Sequence, residues 1–191
     1  MSNPVPGFCV WLTGLSGSGK TTTARALAAA LGDLGMVCEL LDGDEIRRKM
    51  SPSLGYSKAD REINVRRIGM LAHDVIARGR VAVCAVVSPF IAGREACRAL
   101  IGPERFVEVF VDTPLAVCQQ RDPKGLYARA RRGEIANVSG LDTPYERPPA
   151  PQLVLATVAV TVDANVQRIL AHLRTTRLLP PDGAIAGPPL R

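Results

Sequence analysis

The stretch that decides the fold runs from residue 8 to residue 34 and reads FCVWLTGLSGSGKTTTARALAAALGDL. Its beginning, Phe8–Thr13, is apolar nearly throughout, which predicts a buried β-strand. The next eight residues, Gly14–Thr21, match the pattern G-x-x-x-x-G-K-[S/T] at every position. The remainder, Thr22–Leu34, has apolar side chains at the spacing of one helix face, and Gly35 ends it. A strand, a glycine-rich turn and a helix in this order predict a binding loop for nucleotide phosphates.

The residue types of this loop explain how it would hold a nucleoside triphosphate. Its glycines let the backbone curl so that successive N–H groups and the helix N-terminus face the phosphates. Lys20 would reach the β- and γ-phosphates, which makes it a catalytic candidate, and the Thr21 hydroxyl would bind Mg²⁺. The expected cofactors are therefore ATP and Mg²⁺. The predicted ATP-binding residues are Gly14, Ser16, Gly17, Ser18, Gly19, Lys20, Thr21 and Thr22.

Apolar runs and helical patterns continue to alternate along the chain. The further strands are predicted at Val37–Leu41, Arg80–Val87, Phe106–Val111 and Val158–Val162. The further helices are predicted at Asp60–Arg78, Pro114–Arg121 and Ala164–Arg174. Because the strands are continuously apolar and helices separate them, we expect an α/β fold, a doubly wound and mostly parallel five-stranded sheet with helices on both faces. Ligands of such folds bind beyond the carboxyl ends of the strands.

The length of 191 residues suits one domain, which we assign to residues 1–176. Within it, residues 122–151 are rich in Arg, Gly and Pro, and so long an irregular segment is more often a lid over a site than a mere loop. Residues 177–191 are rich in Pro and Gly and are predicted to be a disordered tail. The apolar runs are too short to cross a membrane and the first residues lack a secretion signal, so we expect a cytoplasmic protein.

Charge, motifs and cysteine usage narrow the class of function. A net charge of +6 suits a polyanionic ligand, but only 4% of the residues are aromatic, which favours a small anionic substrate over a nucleic acid. A GTPase would carry an N-K-x-D motif, and a motor-type ATPase would end a strand in Asp, whereas the third predicted strand ends in Ser88-Pro89. The five scattered cysteines are interpreted as buried reduced thiols, not zinc ligands or disulfides. These features indicate a small-molecule kinase.

Two carboxylates, Asp42 and Asp44, follow the second predicted strand beside the phosphate-binding loop. They could hold Mg²⁺ through water or orient an attacking hydroxyl, so both are catalytic candidates. Asp-Gly-Asp is also a good turn and helix N-cap, and this structural alternative stays open. Neither histidine, His73 or His172, has an evident partner, but phosphoryl transfer depends more on positioning and charge neutralisation than on a strong base.

Beyond the loop, the sequence strongly resembles the adenylyl-sulfate kinase family over about residues 7–155. The matching stretches are Gly14–Thr21, Leu41–Asp44 with Arg47, Leu54–Ser57, Asp60–Glu62, Asn64–Arg67, Ser88–Pro89, Val109–Pro114, Cys118–Ala130 and Gly140–Glu146. This family transfers the γ-phosphoryl group of ATP to the ribose 3′-hydroxyl of adenylyl sulfate, a step of sulfate assimilation. The resemblance implies the same activity, a homodimer and a possible association with an ATP sulfurylase.

The resemblance also implies roles for the acceptor site. Arg47, Arg61 and Asn64 would hold the phosphosulfate and the ribose, and Arg clamps such oxygen pairs through two hydrogen bonds. Asp44 would orient the 3′-hydroxyl, and Ser88 is a serine that some family members phosphorylate, which makes it a catalytic candidate. The predicted substrate-binding residues are Asp44, Arg47, Tyr56, Arg61, Asn64, Val87, Ser88, Lys124 and Val138, and Arg121 joins the ATP-binding residues.

Other interpretations of these residues follow from residue type alone. Tyr56, expected to stack on the substrate adenine, could be an ordinary core residue, and Arg61 could be a solvated helix charge. The chain also departs from the family pattern: Val138 stands where a phenylalanine is usual, and Phe90-Ile91 replaces Tyr-Arg. A kinase for another small molecule and a regulatory nucleotide-binding module are the competing functions. Against the second, Lys20 and the acidic pair are both intact.

Overall fold

A five-stranded, entirely parallel sheet forms the centre of the molecule. The structure is a computed structural model that describes residues 6–50 and 52–180. The strands are β1 (Cys9–Thr13), β2 (Cys38–Asp42), β3 (Val81–Ala85), β4 (Phe106–Asp112) and β5 (Leu153–Ala156). Their order across the sheet is β2-β3-β1-β4-β5, and every neighbouring pair is parallel. The predicted α/β fold with a parallel five-stranded sheet is confirmed.

Helices cover both faces of this sheet. They are α1 (Lys20–Asp33), α2 (Gly43–Met50), α3 (Lys58–Ala77), α4 (Ile91–Ile101), α5 (Leu115–Arg121), α6 (Leu126–Arg131) and α7 (Val162–Thr175). Side chains of β1 alternate between two cores: Val10 packs with α1 and α7, and Trp11 packs with α3 and α4. Because both faces of β1 are buried in this way, its sequence is continuously apolar. None of the helices within residues 6–50 and 52–180 is long and apolar enough to cross a membrane.

The predicted fifth strand was misplaced. We predicted Val158–Val162, whereas β5 is Leu153–Ala156 and α7 begins at Val162. The physical reason is a helix cap: the Thr161 hydroxyl accepts a hydrogen bond of 3.2 Å from the backbone N–H of Ala164. The preceding residues form an exposed turn, in which Ala159 has a φ of +59°. Val158 is therefore half exposed and belongs to no strand.

The boundary of the domain also lies later than predicted. Leu178 and Leu179, which the prediction assigned to a disordered tail, are buried and pack against α1 and α7 in the core. The folded domain therefore extends at least to residue 179, because these two apolar side chains complete that core. Residues 181–191 of the predicted tail lie outside the described residues.

The segment of residues 122–151, which we call the lid segment, contains more structure than its composition indicated. It includes helix α6, whose first backbone N–H groups are capped by the Asp122 carboxylate at 2.9 and 3.2 Å. A small apolar cluster of Cys118, Tyr127 and Val138 packs the lid segment against Leu15 of the phosphate-binding loop. The Tyr127 hydroxyl also donates a hydrogen bond of 3.0 Å to the Ser16 carbonyl. The segment is thus attached directly to the loop.

Candidate active site

One large cavity, of about 680 Å³, lies beyond the carboxyl ends of β1, β2 and β3, where such folds bind ligands. The predicted site residues that line it are Ser16, Gly17, Gly19, Lys20, Thr21, Thr22, Asp42, Asp44, Arg47, Tyr56, Arg61, Asn64, Val87, Ser88, Arg121 and Lys124. A second cavity of about 50 Å³ adjoins it under the lid segment and is lined by Val138. The last two predicted site residues, Gly14 and Ser18, line neither cavity and form the buried base of the phosphate-binding loop.

The phosphate-binding loop depends on glycines whose backbone conformation other residues rarely adopt. Gly14 has a φ of +148°, and a Cβ atom there would lie 2.6 Å from the Val111 carbonyl oxygen of neighbouring β4. Gly17 and Gly19 have φ values of +76° and +102°. The loop therefore lies tightly against β4, and α1 begins directly after it at Lys20.

Lys20 is almost completely buried beneath the loop. Its Nζ donates hydrogen bonds of 3.0 Å and 2.7 Å to the carbonyl oxygens of Gly14 and Leu15. Burial lowers the pKa of Lys20 to about 8, because the charged form is poorly solvated there, and nearby Asp44 only partly offsets this. The two carbonyl oxygens thus hold the ammonium group at the cavity, and an incoming phosphate would accept from the same ammonium group.

Thr21 and Asp42 connect the loop to the end of β2. The Thr21 hydroxyl donates a hydrogen bond of 2.7 Å to Oδ2 of Asp42. The other carboxylate oxygen accepts from the backbone N–H groups of Asp44 and Glu45, at 3.0 and 3.4 Å, and so caps α2. Burial raises the pKa of Asp42, but these hydrogen bonds outweigh it, and the pKa lies below its ordinary value. The carboxylate is ionised, and Asp42 acts as the helix cap that we had considered as the structural alternative.

Asp44 faces the lid segment from the opposite side of the cavity. Its carboxylate forms an ion pair with the ammonium group of Lys124, and both side chains are about half exposed. The pair joins α2 to the lid segment across the mouth of the cavity. Asp44 therefore has a cationic partner in the structure, and its charge also acts on Lys20 of the loop and on Arg61 of the acceptor residues.

Tyr56 is flanked by two guanidinium groups. The Cζ atoms of Arg47 and Arg61 lie 5.0 Å and 5.4 Å from its ring centroid, which is cation–π distance. The ring is 43% exposed, so it is not a core residue. Arg61 also donates to the carbonyl of Asn137 in the lid segment, and burial together with the nearby Arg47 lowers its pKa. Arg61 is thus not a solvated helix charge.

Asn64 and Ser88 are buried polar residues at the floor of the cavity. The Oδ1 atom of Asn64 has no hydrogen-bond partner within the described part of the chain. The Ser88 hydroxyl accepts a hydrogen bond of 3.1 Å from Nε1 of Trp11 and donates one of 2.9 Å to Thr13. Its backbone has a φ of +36°, which is strained for a residue with a side chain.

Several residues of the site were not found by sequence reasoning. The predicted residue Arg121 donates hydrogen bonds of 2.9 Å to both the hydroxyl and the carbonyl of Thr157, which was not predicted. Thr113, also not predicted, links Thr157 to the Ser18 carbonyl. Thr113 and Thr157 directly follow β4 and β5, and this position at strand ends is the signal that could have identified them. Trp11 gives no such signal, because an indole within an apolar strand is typical of a core residue.

Comparison with known proteins decides the family. The sequence model described as adenylylsulphate kinase matches residues 6–156, which is most of the chain. The chain belongs to the adenylyl-sulfate kinase family. The predicted family and the predicted kinase activity on adenylyl sulfate are thereby confirmed. An adenylyl-sulfate kinase of Geotalea daltonii is 47% identical to it over 170 residues, which cover 89% of this chain and 84% of that protein.

Two solved structures of adenylyl-sulfate (APS) kinases are also similar. The Mycobacterium tuberculosis APS kinase CysC in complex with AMPPNP and APS has a TM-score of 0.85 and 40% identity, covering 90% of this chain and 99% of that one. The hexameric APS kinase of Thiobacillus denitrificans has a TM-score of 0.70 and 37% identity. The match covers 92% of this chain but only 30% of the Thiobacillus denitrificans chain, so the matching region is part of a longer protein there.

Proposed function

We propose that the two nucleotides bind end to end in the large cavity, with ATP on the phosphate-binding loop and adenylyl sulfate between α2, α3 and the lid segment. The observation that carries this proposal is that the donor residues Lys20 and Thr21 and the acceptor residues Arg47 and Arg61 line one continuous cavity. Asp44 lies between the two sets. Such a cavity lets a phosphoryl group pass directly from one nucleotide to the other.

On the donor side, we assign the phosphates of ATP to the backbone N–H groups from Gly14 to Thr22 and to Lys20. Arg121 and Thr157, which are hydrogen-bonded to each other at the rim of the same cavity, are assigned to the remainder of the nucleotide. The relative in complex with AMPPNP supports an ATP site in this fold. The lysine charge would offset the charge that develops on the transferred group.

The residues near the loop fit Mg²⁺. Thr21 and Asp42 present oxygen donors 2.7 Å apart, and residues 6–50 and 52–180 contain no group of three or more His, Cys, Asp or Glu side chains that would form a full metal cage. Mg²⁺ prefers this situation, because it takes one or two protein oxygens and keeps waters and substrate phosphates as its other ligands. We assign Thr21 as a direct ligand and Asp42 as its hydrogen-bonded support. When bound, the ion neutralises phosphate charge.

On the acceptor side, Arg47, Arg61 and Asn64 are assigned to the phosphosulfate and ribose. Two arginines match two negative charges, and the unpartnered Oδ1 of Asn64 leaves it an acceptor for a substrate hydroxyl. The ring of Tyr56 would stack on adenine, with Val138 on the other side. Val87 and Ser88 would form the floor, and Lys124 would close the lid segment over both nucleotides.

The transfer itself needs little covalent chemistry from the protein. The 3′-hydroxyl oxygen attacks the γ-phosphorus, the bond from that phosphorus to the β–γ bridging oxygen breaks, and ADP leaves. The hydroxyl proton passes to the Asp44 carboxylate or, through it, to water. Asp44 orients the hydroxyl, and Lys20 stays charged throughout. Ser88 is assigned a binding role, because its hydroxyl is already engaged with Trp11 and Thr13.

The assembly and location that the resemblance implies belong to the same proposal. We propose a homodimer, with a possible ATP sulfurylase partner and no nucleic-acid partner. A hexameric relative supports self-association in the family. The proposed location is the cytoplasm. Its support is that all five cysteines are free, four of them buried, as in proteins of reducing compartments.

An assay of ADP release with adenylyl sulfate as the acceptor tests the proposed function. We expect rapid ADP release and a product that carries a new phosphate at the 3′-position. Adenosine 5′-monophosphate, which lacks the sulfate that Arg47 and Arg61 would bind, is the matched control and should be a poor acceptor. Equal turnover with both acceptors would contradict the assigned acceptor site.

A further inference from the structure

Arg94 is a buried arginine that the mechanism above does not use. It lies in the first turn of α4 and is only 1% exposed. Its three nitrogens donate in three directions: Nε to Oε1 of Glu108 at 2.8 Å, Nη1 to the Ser88 carbonyl at 2.7 Å, and Nη2 to the Glu146 carbonyl at 2.8 Å. The guanidinium thus connects strand β4, the floor of the acceptor site and the end of the lid segment.

Stability alone does not explain such a residue. When an ion pair is buried, the hydration energy that the two charges lose is about as large as their electrostatic attraction. Replacing such a pair by apolar side chains is therefore often neutral or stabilising. A second arginine, Arg98, already pairs with the other oxygen of Glu108 at 2.9 Å. The feature that distinguishes Arg94 is therefore the pair of backbone carbonyls that it holds at fixed positions.

Both carbonyls belong to a strained junction. Ser88 has a φ of +36°, a conformation that persists only where the surroundings enforce it. The turn after Ser88 is bound to the end of the lid segment: the N–H of Glu146 donates 2.8 Å to the Pro89 carbonyl, and the N–H of Ile91 donates 2.7 Å to a Glu146 carboxylate oxygen. Arg94 completes this junction, because it donates to the carbonyl of Ser88, just before the turn, and to the carbonyl of Glu146, which binds the turn.

We propose that Arg94 is a positioning residue for the acceptor nucleotide. It holds the Ser88 turn in the conformation that forms the floor of the acceptor cavity, and it fixes the end of the lid segment to that floor. The inference rests on the proposed function, in which Val87 and Ser88 line the acceptor site. Arg94 contacts Ser88, Glu146 and Glu108 and does not contact the phosphate-binding loop within the described residues. Loss of Arg94 should therefore disturb adenylyl sulfate binding and leave that loop intact.

The test compares Arg94→Met with Arg98→Met in steady-state kinetics of the full chain. Both changes remove one arginine from Glu108, but only the first releases the Ser88 and Glu146 carbonyls. We expect Arg94→Met to raise the KM for adenylyl sulfate about tenfold or more, the effect of losing one or two good hydrogen bonds. Its KM for ATP should stay within about twofold, and both KM values of Arg98→Met should do the same.

Arg94→Lys provides a second variant in case the methionine variant does not fold. A lysine keeps a positive charge beside Glu108, but a single nitrogen cannot reproduce three donors in a fixed plane. We expect a lower melting temperature, because buried carbonyls lose their donors, but a protein that is still folded at the assay temperature and has a raised KM for adenylyl sulfate. A folded Arg94→Lys or Arg94→Met enzyme with a wild-type KM for adenylyl sulfate would overturn the inference, and so would equal rises for both substrates.

Direct titration with adenylyl sulfate and with AMPPNP separates this inference from the proposed function. A wild-type protein that binds adenylyl sulfate and phosphorylates it, beside an Arg94 variant that binds both ligands normally, rejects only the role of Arg94. A wild-type protein without acceptor-dependent ADP release rejects the proposed function and this inference together.

Discussion

The Nζ atom of Lys20 lies 2.7 Å from the carbonyl oxygen of Leu15, to which it donates a hydrogen bond within its own loop. A second carbonyl, that of Gly14, accepts at 3.0 Å. The cation that would meet the γ-phosphate is therefore held in place before any nucleotide binds. Preorganised charge of this kind needs no rearrangement at the moment of reaction, which is the basis of its effect on a rate.

Replacing Lys20 by alanine should abolish most turnover without unfolding the protein. Loss of one preorganised charge lowers kcat by on the order of 100- to 1000-fold in other enzymes. The melting temperature should not fall, because burial of an ammonium group is itself unfavourable. Kinetics and thermal unfolding of Lys20→Ala check this, with Lys49→Ala, an exposed lysine paired with Glu45, as the control. A near wild-type rate would reject the loop mechanism.

Nucleotide binding should weaken as the pH rises through about 8. Burial lowers the pKa of Lys20 to about 8, so the free enzyme loses this charge above that pH, whereas bound phosphates favour the charged form. By linkage, affinity for AMPPNP should be constant below pH 8 and fall by at most about tenfold per pH unit above it. In Lys20→Arg, whose side chain stays charged, this dependence should disappear. Titrations with AMPPNP between pH 7 and about pH 9.5 measure this dependence for the wild type and for Lys20→Arg. If the two proteins lost affinity in parallel, Lys20 would not be the cause.

Ser88→Ala should leave most of the activity and lower stability. The hydroxyl of Ser88 is the acceptor for the buried Trp11 indole, and an unpaired buried donor costs about 1–3 kcal/mol. The free energy of unfolding should fall by that amount, while kcat stays within a few-fold. The double variant Trp11→Phe with Ser88→Ala, in which neither partner is polar, should be less destabilised than the sum of the single changes. An inactive Ser88→Ala protein that folds and binds both ligands would favour a phosphoserine route.

Tyr56→Ala should weaken adenylyl sulfate binding selectively. The exposed ring is supported by Arg47 and Arg61, and stacking of a base on an aromatic ring is worth about 1–3 kcal/mol. Because the ring is 43% exposed, the free energy of unfolding should change by less than about 0.5 kcal/mol. Calorimetric titration with adenylyl sulfate, with AMPPNP as the control ligand, measures both affinities. Unchanged affinity for adenylyl sulfate would remove Tyr56 from the acceptor site.

Val138→Phe should tighten adenylyl sulfate binding. Val138 packs beside Tyr127 and lines the small cavity of about 50 Å³ that Tyr56 also lines. An aromatic ring extending into that cavity would cover the second face of the adenine. A gain of about tenfold in affinity requires only about 1.4 kcal/mol. Val138→Ile adds apolar volume without a ring and is the matched control, and an equal gain in both variants would show that stacking is not the cause.

The sequence predicted the parts of the site that are local in the chain. The phosphate-binding loop is contiguous, so one motif identifies its strand, its turn and its helix. The interactions that were missed join distant residues: Trp11 meets Ser88, and Arg94 meets Glu146. A single sequence contains no signal for such pairs. The misplaced fifth strand has a similar cause, because Leu153–Ala156 and Val158–Val162 are both apolar and only the cap at Thr161 distinguishes them.

The position of β1 in the middle of the sheet has a consequence for how the chain acquires its structure. Cys9 pairs with Ala82 on one side and with Phe106 on the other, so both neighbours of the first strand are synthesised long after it. Non-local parallel pairing of this kind is intrinsically slow, because loop-closure entropy is lost before the contacts form. On the ribosome, the apolar strand that precedes the phosphate-binding loop must wait unpaired until β3 emerges, and its other edge stays open until β4 follows. That waiting strand is where chaperones would bind and where aggregation of the nascent chain would begin.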